Sequence, residues 1–190
     1  MRSLRAVQWR VQPAAHLPHG WRNWLAEPGS LTARLQVHCS VFRVQRLAQY
    51  VGRASGEERR LLGLSRMQPV WCREVLLWCD AMPVIVARTI VRQSAVRRDW
   101  PFFHGLGQRS LGARLFVDPQ VRRLPLRHAC LSSEHPLRQL VKRTVPDAPQ
   151  NAYARNSVFV RKHGRMLVTE VFLSAVFDLS LKEGSDAIKK

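Results

Sequence analysis

The amino-acid sequence predicts an α+β domain, in which one antiparallel β-sheet carries helices on one side. Two β-hairpins support this prediction, one over residues 71–91 and the other over residues 157–173. In each hairpin, two runs of apolar and β-branched residues flank a short turn, which is the pattern of paired antiparallel strands. The helical segments between the hairpins are short, and no strand–helix–strand spacing typical of a parallel sheet occurs. The 190 residues are enough for one domain with a buried core.

Ahead of the first hairpin the sequence predicts short helices and one strand. Residues 21–25 favour a helix, which the helix breaker Glu27-Pro28-Gly29 ends. Ser30 has the residue type of a helix N-cap and precedes a second helix over residues 31–38. A strand over residues 39–47 and a helix over residues 56–62 follow.

The first hairpin turns at Asp80-Ala81-Met82-Pro83, and two further short helices are predicted after it. They lie over residues 100–106 and 111–117; Ser110 precedes the second, which ends before Pro119. The remaining elements are a strand over residues 121–131, a long loop over residues 132–150, and the second hairpin with its turn at His163-Gly164.

These elements divide the chain into three segments. Residues 1–20 are predicted to be a loosely attached arm, residues 21–177 the folded domain, and residues 178–190 a polar tail.

A six-residue segment occurs twice, each time at the start of a predicted helix. Residues 30–35 (SLTARL) and 110–115 (SLGARL) agree at five of six positions. The first backbone N–H groups of a helix are unpaired and carry partial positive charge, so two such starts could close over one acidic ligand. The alternative is that both segments are simply well-capped helix openings that arose by chance.

The chain is strongly basic, with 31 Lys and Arg against 13 Asp and Glu and a formal net charge of +18. Such a charge attracts polyanions, and nucleic-acid binding is therefore one alternative function. The arginines are spread along the chain rather than clustered, which fits a solvated basic surface or the steering of small anionic substrates equally well.

No apolar stretch approaches the roughly 20 residues of a membrane helix, and the N-terminus lacks the apolar core of a signal peptide, so neither membrane insertion nor secretion is expected.

The cysteines and histidines show none of the usual metal-binding spacings. The four cysteines, Cys39, Cys72, Cys79 and Cys130, form no CxxC pair, and the seven histidines form no HExxH motif. We expect four reduced thiols in a reducing cytosol and no metal. Glycine-rich nucleotide motifs and the GxSxG motif of serine hydrolases are also absent from the sequence.

Three charged residues lie inside otherwise apolar predicted strands: Arg73, Arg88 and Glu170. If Cys79 pairs with Val84 across the hairpin turn, both arginines lie on one face of the sheet; a one-residue shift would separate them. A buried charge needs a partner or a ligand. Internal Arg–Glu pairs and exposure at a sheet edge remain alternatives. The residues alone predict a site for a small aromatic or cyclic carboxylate.

At these residues the chain resembles the chorismate pyruvate-lyase family of bacterial ubiquinone biosynthesis. The similar segments are WCREVLLWCDAMPVIVARTIV, SLGARLF and ARNSVFVRKHGRMLVTEVFL, with SLTARL as a weaker match, and they extend over residues 21–177 with gaps. The resemblance implies an antiparallel sheet with two helical flaps over the ligand site. It also implies cleavage of chorismate to 4-hydroxybenzoate and pyruvate without cofactor or metal.

The resemblance also implies roles for individual residues. Arg73 would bind the ring carboxylate, Glu170 would meet the hydroxyl end of the ring, and Leu31 and Leu111 would contribute backbone contacts from the two flaps. Arginine can grip a carboxylate with two hydrogen bonds. We expect Glu170, in an apolar strand, to give or take a proton near neutral pH, as acid, base or orienting group. Arg88 is our additional candidate, for the second carboxylate of chorismate.

Some features depart from the family pattern. Ala87 stands where the family usually has glycine, and the segment 127–150 is longer than expected.

One alternative function is a non-catalytic sensor of the same fold. Such regulators carry a DNA-binding module of about 65 residues, and we expect that the roughly 20 residues before the first similar segment are too few to form one. With the lyase function we expect a cytoplasmic monomer that binds chorismate and 4-hydroxybenzoate, with no specific nucleic-acid partner and no membrane partner.

Overall fold

The computed structural model describes residues 7–148, 152–176 and 179. Its helices are α1 (His19–Ala26), α2 (Leu31–His38), α3 (Gly56–Leu62), α4 (Gln93–Asp99), α5 (Gly112–Leu115) and α6 (Pro136–Thr144), with a 3-10 turn at His104–Leu106. Its strands are β1 (Phe42–Arg53), β2 (Pro69–Cys79), β3 (Met82–Arg92), β4 (Val121–Arg123), β5 (Arg127–Leu131), β6 (Ala152–Arg161) and β7 (Gly164–Phe172).

The strands form one antiparallel sheet in the order β1-β2-β3-β7-β6-β4, and β5 pairs with the other end of β6. The two predicted hairpins are β2–β3 and β6–β7, and they lie side by side because β3 pairs with β7. The predicted α+β class with a single antiparallel sheet is confirmed.

The register of the first hairpin differs from the predicted one. Arg73 pairs with Thr89, and Glu74 pairs with Arg88, so Arg73 and Arg88 project from opposite faces of the sheet. The turn has two residues, Asp80 and Ala81, rather than four, and an irregularity follows Leu77. A shift of one residue moves every side chain of a strand to the other face.

Helices cover both faces of the sheet, whereas the sequence predicts them on one side. On the face that carries Arg73, helices α1 and α2 pack on the strands in one apolar cluster, and α4 and α5 pack in a second. On the opposite face, α6 and α3 contribute to two further clusters.

Helix α6 lies inside the segment predicted as a loop. Its prolines suggested a break, but Pro136 occupies the first turn of the helix, where proline is favoured, and His135 accepts a hydrogen bond from the Leu137 N–H at 3.2 Å. Leu137, Leu140 and Val141 form its buried face. The burial of these three apolar side chains therefore stabilises a helix in a segment whose prolines favour a loop.

Two further predictions need correction. Residues 93–99 form helix α4, whereas only the end of the predicted helix 100–106 forms a 3-10 turn. The predicted strand 121–131 is two strands separated around Pro125, which cannot donate a ladder hydrogen bond.

The described part of the predicted arm contacts the domain, since Arg10 pairs with His128 and Leu17 is buried. The predicted tail lies, except for Leu179, outside the described residues.

Cys39 and Cys79 form a disulfide with a Cα–Cα distance of 5.2 Å, so the prediction of four reduced thiols is wrong for this pair. The sequence separation of 40 residues hides their proximity, which arises because β1 and β2 pair with Phe42 opposite Cys79. The bond joins the end of α2 to the end of β2. Cys72 and Cys130 are free thiols.

None of the helices in the described part of the chain is long and apolar enough to cross a membrane.

Candidate active site

A cavity lies between the sheet face that carries Arg73 and the two helices α2 and α5, which we call the flaps. Its volume is about 50 Å³, several times the roughly 10–15 Å³ that one water molecule requires. Leu31, Arg73, Leu111 and Glu170, which the resemblance singles out, all line this one cavity. The floor is otherwise mainly apolar, with Val44, Val75, Leu77, Ala87, Phe159 and Val168.

The flaps contact each other over the cavity, and the one position at which the two repeated segments differ, Thr32 and Gly112, lies at this contact. Thr32 and Ser110 are joined by a hydroxyl–hydroxyl hydrogen bond of 2.8 Å. A Cβ atom on Gly112 would lie 2.9 Å from Thr32 Oγ1, which is closer than real Cβ atoms come to other heavy atoms. Position 32 is thus threonine and position 112 glycine because the side chain of one flap occupies the space over the other.

The capping predicted for both flaps is present. Ser30 accepts a hydrogen bond from the Ala33 N–H at 3.3 Å, and Ser110 accepts one from the Ala113 N–H at 3.4 Å. Leu31 and Leu111 are buried directly after these serines. Helix α5 is only four residues long, so the second flap is a single helical turn rather than the predicted helix 111–117.

Arg73 is a buried cation with no carboxylate partner among the described residues. Its side chain is 1% exposed, and its Nη2 donates hydrogen bonds to the carbonyl oxygens of Gly107 at 3.2 Å and Arg109 at 3.0 Å. Its Nε is buried and has no hydrogen-bond partner. Burial, together with the charge of Arg46, lowers the pKa of Arg73 to about 10, still well above neutrality. The group therefore stays charged and can accept an anion.

Glu170 does not lie in an apolar setting as the sequence suggests. Its Oε2 accepts a hydrogen bond from Nε of Arg155 at 2.6 Å, and the two residues are direct neighbours on paired strands. Arg155 Nη1 also donates to the carbonyl oxygen of Glu27 at 2.9 Å. This second arginine holds the Glu170 carboxylate in place as a hydrogen-bond acceptor at the cavity wall.

Arg123 is the third cation of the cavity. Its Nε donates to Ser157 Oγ at 2.9 Å, and its Nη1 donates to the carbonyl oxygens of Pro28 at 2.9 Å and Gly29 at 3.2 Å. Burial and the neighbouring charge of Arg155 lower the pKa of Arg123 to about 10.

The sequence reasoning overlooks Arg123 and Arg155. Arg155 meets the same criterion as Arg73, a charge inside an apolar strand, but the predicted strand begins only at residue 157. Arg123 directly follows Arg122, and no local signal in the sequence separates the two. Because side chains alternate along a strand, a strand at this position would place Arg123 and the exposed Arg122 on opposite faces of β4.

Arg88 is not part of this cavity. It lies on the other face of the sheet, where its Nε contacts Glu58 at 3.1 Å and its Nη1 contacts Glu74 at 2.5 Å and the Tyr50 hydroxyl at 2.8 Å. The premise that it shares a face with Arg73 is wrong, because the hairpin register is shifted by one residue. Arg88 instead belongs to an internal charge cluster.

Within the described ranges, no group of three or more His, Cys, Asp or Glu side chains has an arrangement that could hold a metal ion. The charged groups that line the cavity are Arg73, Arg123, Arg155 and Glu170. The arrangement can bind and orient an anion by hydrogen bonds and charge.

Known proteins resemble this chain over most of its length. The family described as "Chorismate lyase" matches residues 3–182. A curated relative from Cupriavidus metallidurans is 47% identical over 190 residues, which cover 98% of this chain and 89% of the relative. Another from Cupriavidus pinatubonensis is 52% identical over 159 residues, which cover 83% and 82%. Both relatives are named "Probable chorismate pyruvate-lyase".

Solved structures share the fold at low sequence identity. A GntR-family transcriptional regulator from Bacillus cereus matches with a TM-score of 0.55 and 12% identity, covering 72% of this chain and 94% of that one. The effector domain of PhnF from Mycobacterium smegmatis matches with a TM-score of 0.52 and 15% identity, covering 77% and 90%. At these identities the similarity concerns the fold alone.

Proposed function

Because this chain belongs to the chorismate lyase family, we propose that it eliminates pyruvate from chorismate and releases 4-hydroxybenzoate. The single observation that carries the proposal is the arrangement of charges in one cavity. Arg73, which is buried and has no carboxylate partner among the described residues, lines the same space as the orienting pair Glu170–Arg155. A cation and a hydrogen-bond acceptor in one cavity suit a ring that has a carboxylate at one end and a hydroxyl at the other.

The reaction needs binding and orientation more than strong chemical catalysis. The bond between the ring carbon and the ether oxygen breaks, and its electron pair leaves with the oxygen as the enolate of pyruvate, which takes up a proton to give pyruvate. A proton leaves the ring carbon that carries the hydroxyl, and the electron pair of that C–H bond completes the aromatic ring. In the proposed complex, Arg73 binds the ring carboxylate through its free Nε–H, and Glu170 accepts a hydrogen bond from the ring hydroxyl. The apolar floor excludes water around the ring.

The flaps complete the proposed site. Leu31 and Leu111 directly follow Ser30 and Ser110 and line the cavity. In the proposed complex, their backbone groups contact the ligand. The contact between Thr32 and Ser110 closes this lid, so we propose that the ligand enters only when the flaps separate.

The test is to incubate the purified protein with chorismate, without added metal, and to quantify 4-hydroxybenzoate and pyruvate by chromatography. We expect equimolar products, and a loss of roughly 100-fold or more in kcat for Glu170→Ala. Glu134→Ala removes an exposed carboxylate and serves as the matched control. Unchanged turnover in E170A would remove Glu170 from the mechanism. Absence of any product, with 4-hydroxybenzoate still bound, would instead support a non-catalytic sensor.

The proposal also includes the setting of the reaction. We propose that this protein supplies 4-hydroxybenzoate for ubiquinone biosynthesis in the cytoplasm. We also propose that it acts as a monomer and has no nucleic-acid partner. The disulfide between Cys39 and Cys79 removes one argument for the cytoplasm, since that expectation relied on reduced thiols.

A further inference from the structure

Building on the proposed function, we infer that Arg123 binds the second carboxylate of the substrate, which is carried by the enolpyruvyl side chain and is absent from the aromatic product. The cavity is then a site for a dianion, with the buried Arg73 for one carboxylate and the half-buried Arg123 for the other. Arg123 would distinguish substrate from product, whereas Arg73 would hold both.

The charge balance of the cavity is the first argument. Three arginines and one carboxylate line it, so two positive charges remain uncompensated by the lining residues. Arg155 is paired with Glu170, which leaves Arg73 and Arg123. The hydrogen-bond partners of Arg123 are neutral, and the nearby Glu27 carboxylate is paired with Arg34 at 3.2 Å. Arg123 is half-buried, and partial removal of its charge from water without an acidic partner has a cost that a carboxylate ligand would reduce.

The order of the strands is the second argument. Arg73 lies on β2, Glu170 lies on β7, two strands across the sheet, and Arg155 lies on the next strand, β6. Arg123 comes from β4 beyond β6, and its Nε contacts Ser157 on β6. Along the cavity, Glu170 is therefore between Arg73 and Arg123.

The structure of the substrate fits this order. In chorismate the enolpyruvyl ether is attached to the ring carbon next to the one that bears the hydroxyl, at the end of the ring away from the ring carboxylate. When Arg73 holds the ring carboxylate and Glu170 the hydroxyl, the side-chain carboxylate lies toward the Glu170 end. Arg123 is the cation at that end that is not already paired with a carboxylate.

The guanidinium of Arg123 is also oriented for this role. Its Nε and Nη1 are used by Ser157 and the carbonyl groups of residues 28 and 29, whereas Nη2 has no hydrogen-bond partner within the described part of the chain. Its planar group lies over the rings of Phe116 and Phe159, at 5.6 and 5.7 Å from their centroids, which limits its movement. One donor nitrogen thus remains for a ligand.

The experiment compares substrate and product in two variants with the same change in net charge. Arg123→Gln removes the proposed carboxylate donor, and Arg122→Gln removes its exposed neighbour as the matched control. We expect R123Q to lower kcat/KM for chorismate roughly 10- to 100-fold while the Kd for 4-hydroxybenzoate stays within about twofold of wild type. R122Q should leave both quantities within about twofold.

The inference is overturned if R123Q weakens 4-hydroxybenzoate binding as much as it lowers kcat/KM for chorismate, or if it changes neither. Should R123Q fail to fold, as shown by its thermal melt, Arg123→Lys is used instead. It keeps the charge but loses the planar fork, and the same separation between substrate and product is expected with a smaller amplitude. Failure of the proposed function is seen in the wild-type protein, which would then yield no 4-hydroxybenzoate.

Discussion

At the scale of single residues, Arg73, which we propose binds the ring carboxylate, is costly for the stability of the fold. Its guanidinium is buried, it lacks an acidic partner among the described residues, and burial lowers its pKa to about 10. The hydrogen bonds to two carbonyl groups offset only part of the cost of removing the charge from water. A protein selected for stability alone would place an apolar side chain here.

We therefore expect Arg73→Met to weaken ligand binding without lowering the stability of the fold. We expect the Kd for 4-hydroxybenzoate to rise about 30-fold or more, and the free energy of unfolding to stay within about 1 kcal/mol of wild type or to increase. Titration calorimetry measures the first quantity and urea denaturation the second. Arg46→Met is the control, since Arg46 is an exposed cation on the neighbouring strand. A variant that binds 4-hydroxybenzoate normally would contradict the assignment of Arg73.

At the scale of secondary-structure elements, the closure of the two flaps depends on one missing side chain. Gly112 allows α5 to approach α2, and a Cβ atom there would lie 2.9 Å from Thr32 Oγ1 and 3.2 Å from Ser30 Oγ. Threonine and serine side chains at a helix start are held by their hydrogen bonds, so they cannot move away freely. The flaps would have to separate.

We therefore expect Gly112→Ala to weaken 4-hydroxybenzoate binding by roughly 5- to 100-fold, as overpacking typically does. Gly105→Ala is the matched control, because a Cβ atom there meets only a side-chain nitrogen at 3.9 Å. The rate of product release by stopped flow should rise in G112A and not in G105A. Equal affinities in the two variants would show that flap contact at residue 112 does not control ligand retention.

At the scale of the whole molecule, the basic composition is only partly a surface property. Several arginines act inside the fold: Arg73, Arg123 and Arg155 in the cavity, and Arg88 between two carboxylates on the other face. The exposed remainder of the net charge of +18 has no structural explanation.

The whole molecule should also lose stability in mild acid. Burial lowers the pKa of His128 and of His135 in the folded protein, whereas in the unfolded chain each imidazole takes up a proton near its ordinary pKa of about 6.5. The unfolded state then binds more protons, and the free energy of unfolding falls as the pH drops below that value. Urea titrations between pH 7.5 and 5.5 should show this fall.

Variants identify the source of the pH dependence. His128→Gln should flatten it, because the residue is buried and its Nε2 lies 3.0 Å from the Leu25 carbonyl oxygen. The control His163→Gln alters an exposed histidine in a turn and should leave the slope as it is. If all three proteins show the same slope, the histidine at position 128 is not responsible.

The features that could be predicted from the sequence are those that depend on neighbouring residues. The two hairpins follow from runs of β-branched residues around turn residues, and the flaps follow from a capping serine before each helical turn. Arg73 and Glu170 could be singled out because a charge in an apolar strand is unusual and because the surrounding motifs resemble a known family. Each of these signals lies within about twenty residues of chain.

The remaining features depend on segments that meet only in the folded chain. Arg155 reaches Glu170, Arg123 reaches Ser157 and Cys39 reaches Cys79 because strands distant in sequence lie side by side. Arg88 lies on the face opposite Arg73 because the pairing of β2 with β3 is shifted by one residue from the predicted register. The two-residue turn and the irregularity beside Leu77 set this pairing. Local pattern thus singled out Arg73 and Glu170 as candidate site residues, whereas strand pairing determined the partners of each charged side chain. A strand has two faces, and its own sequence does not specify which strands will lie beside it.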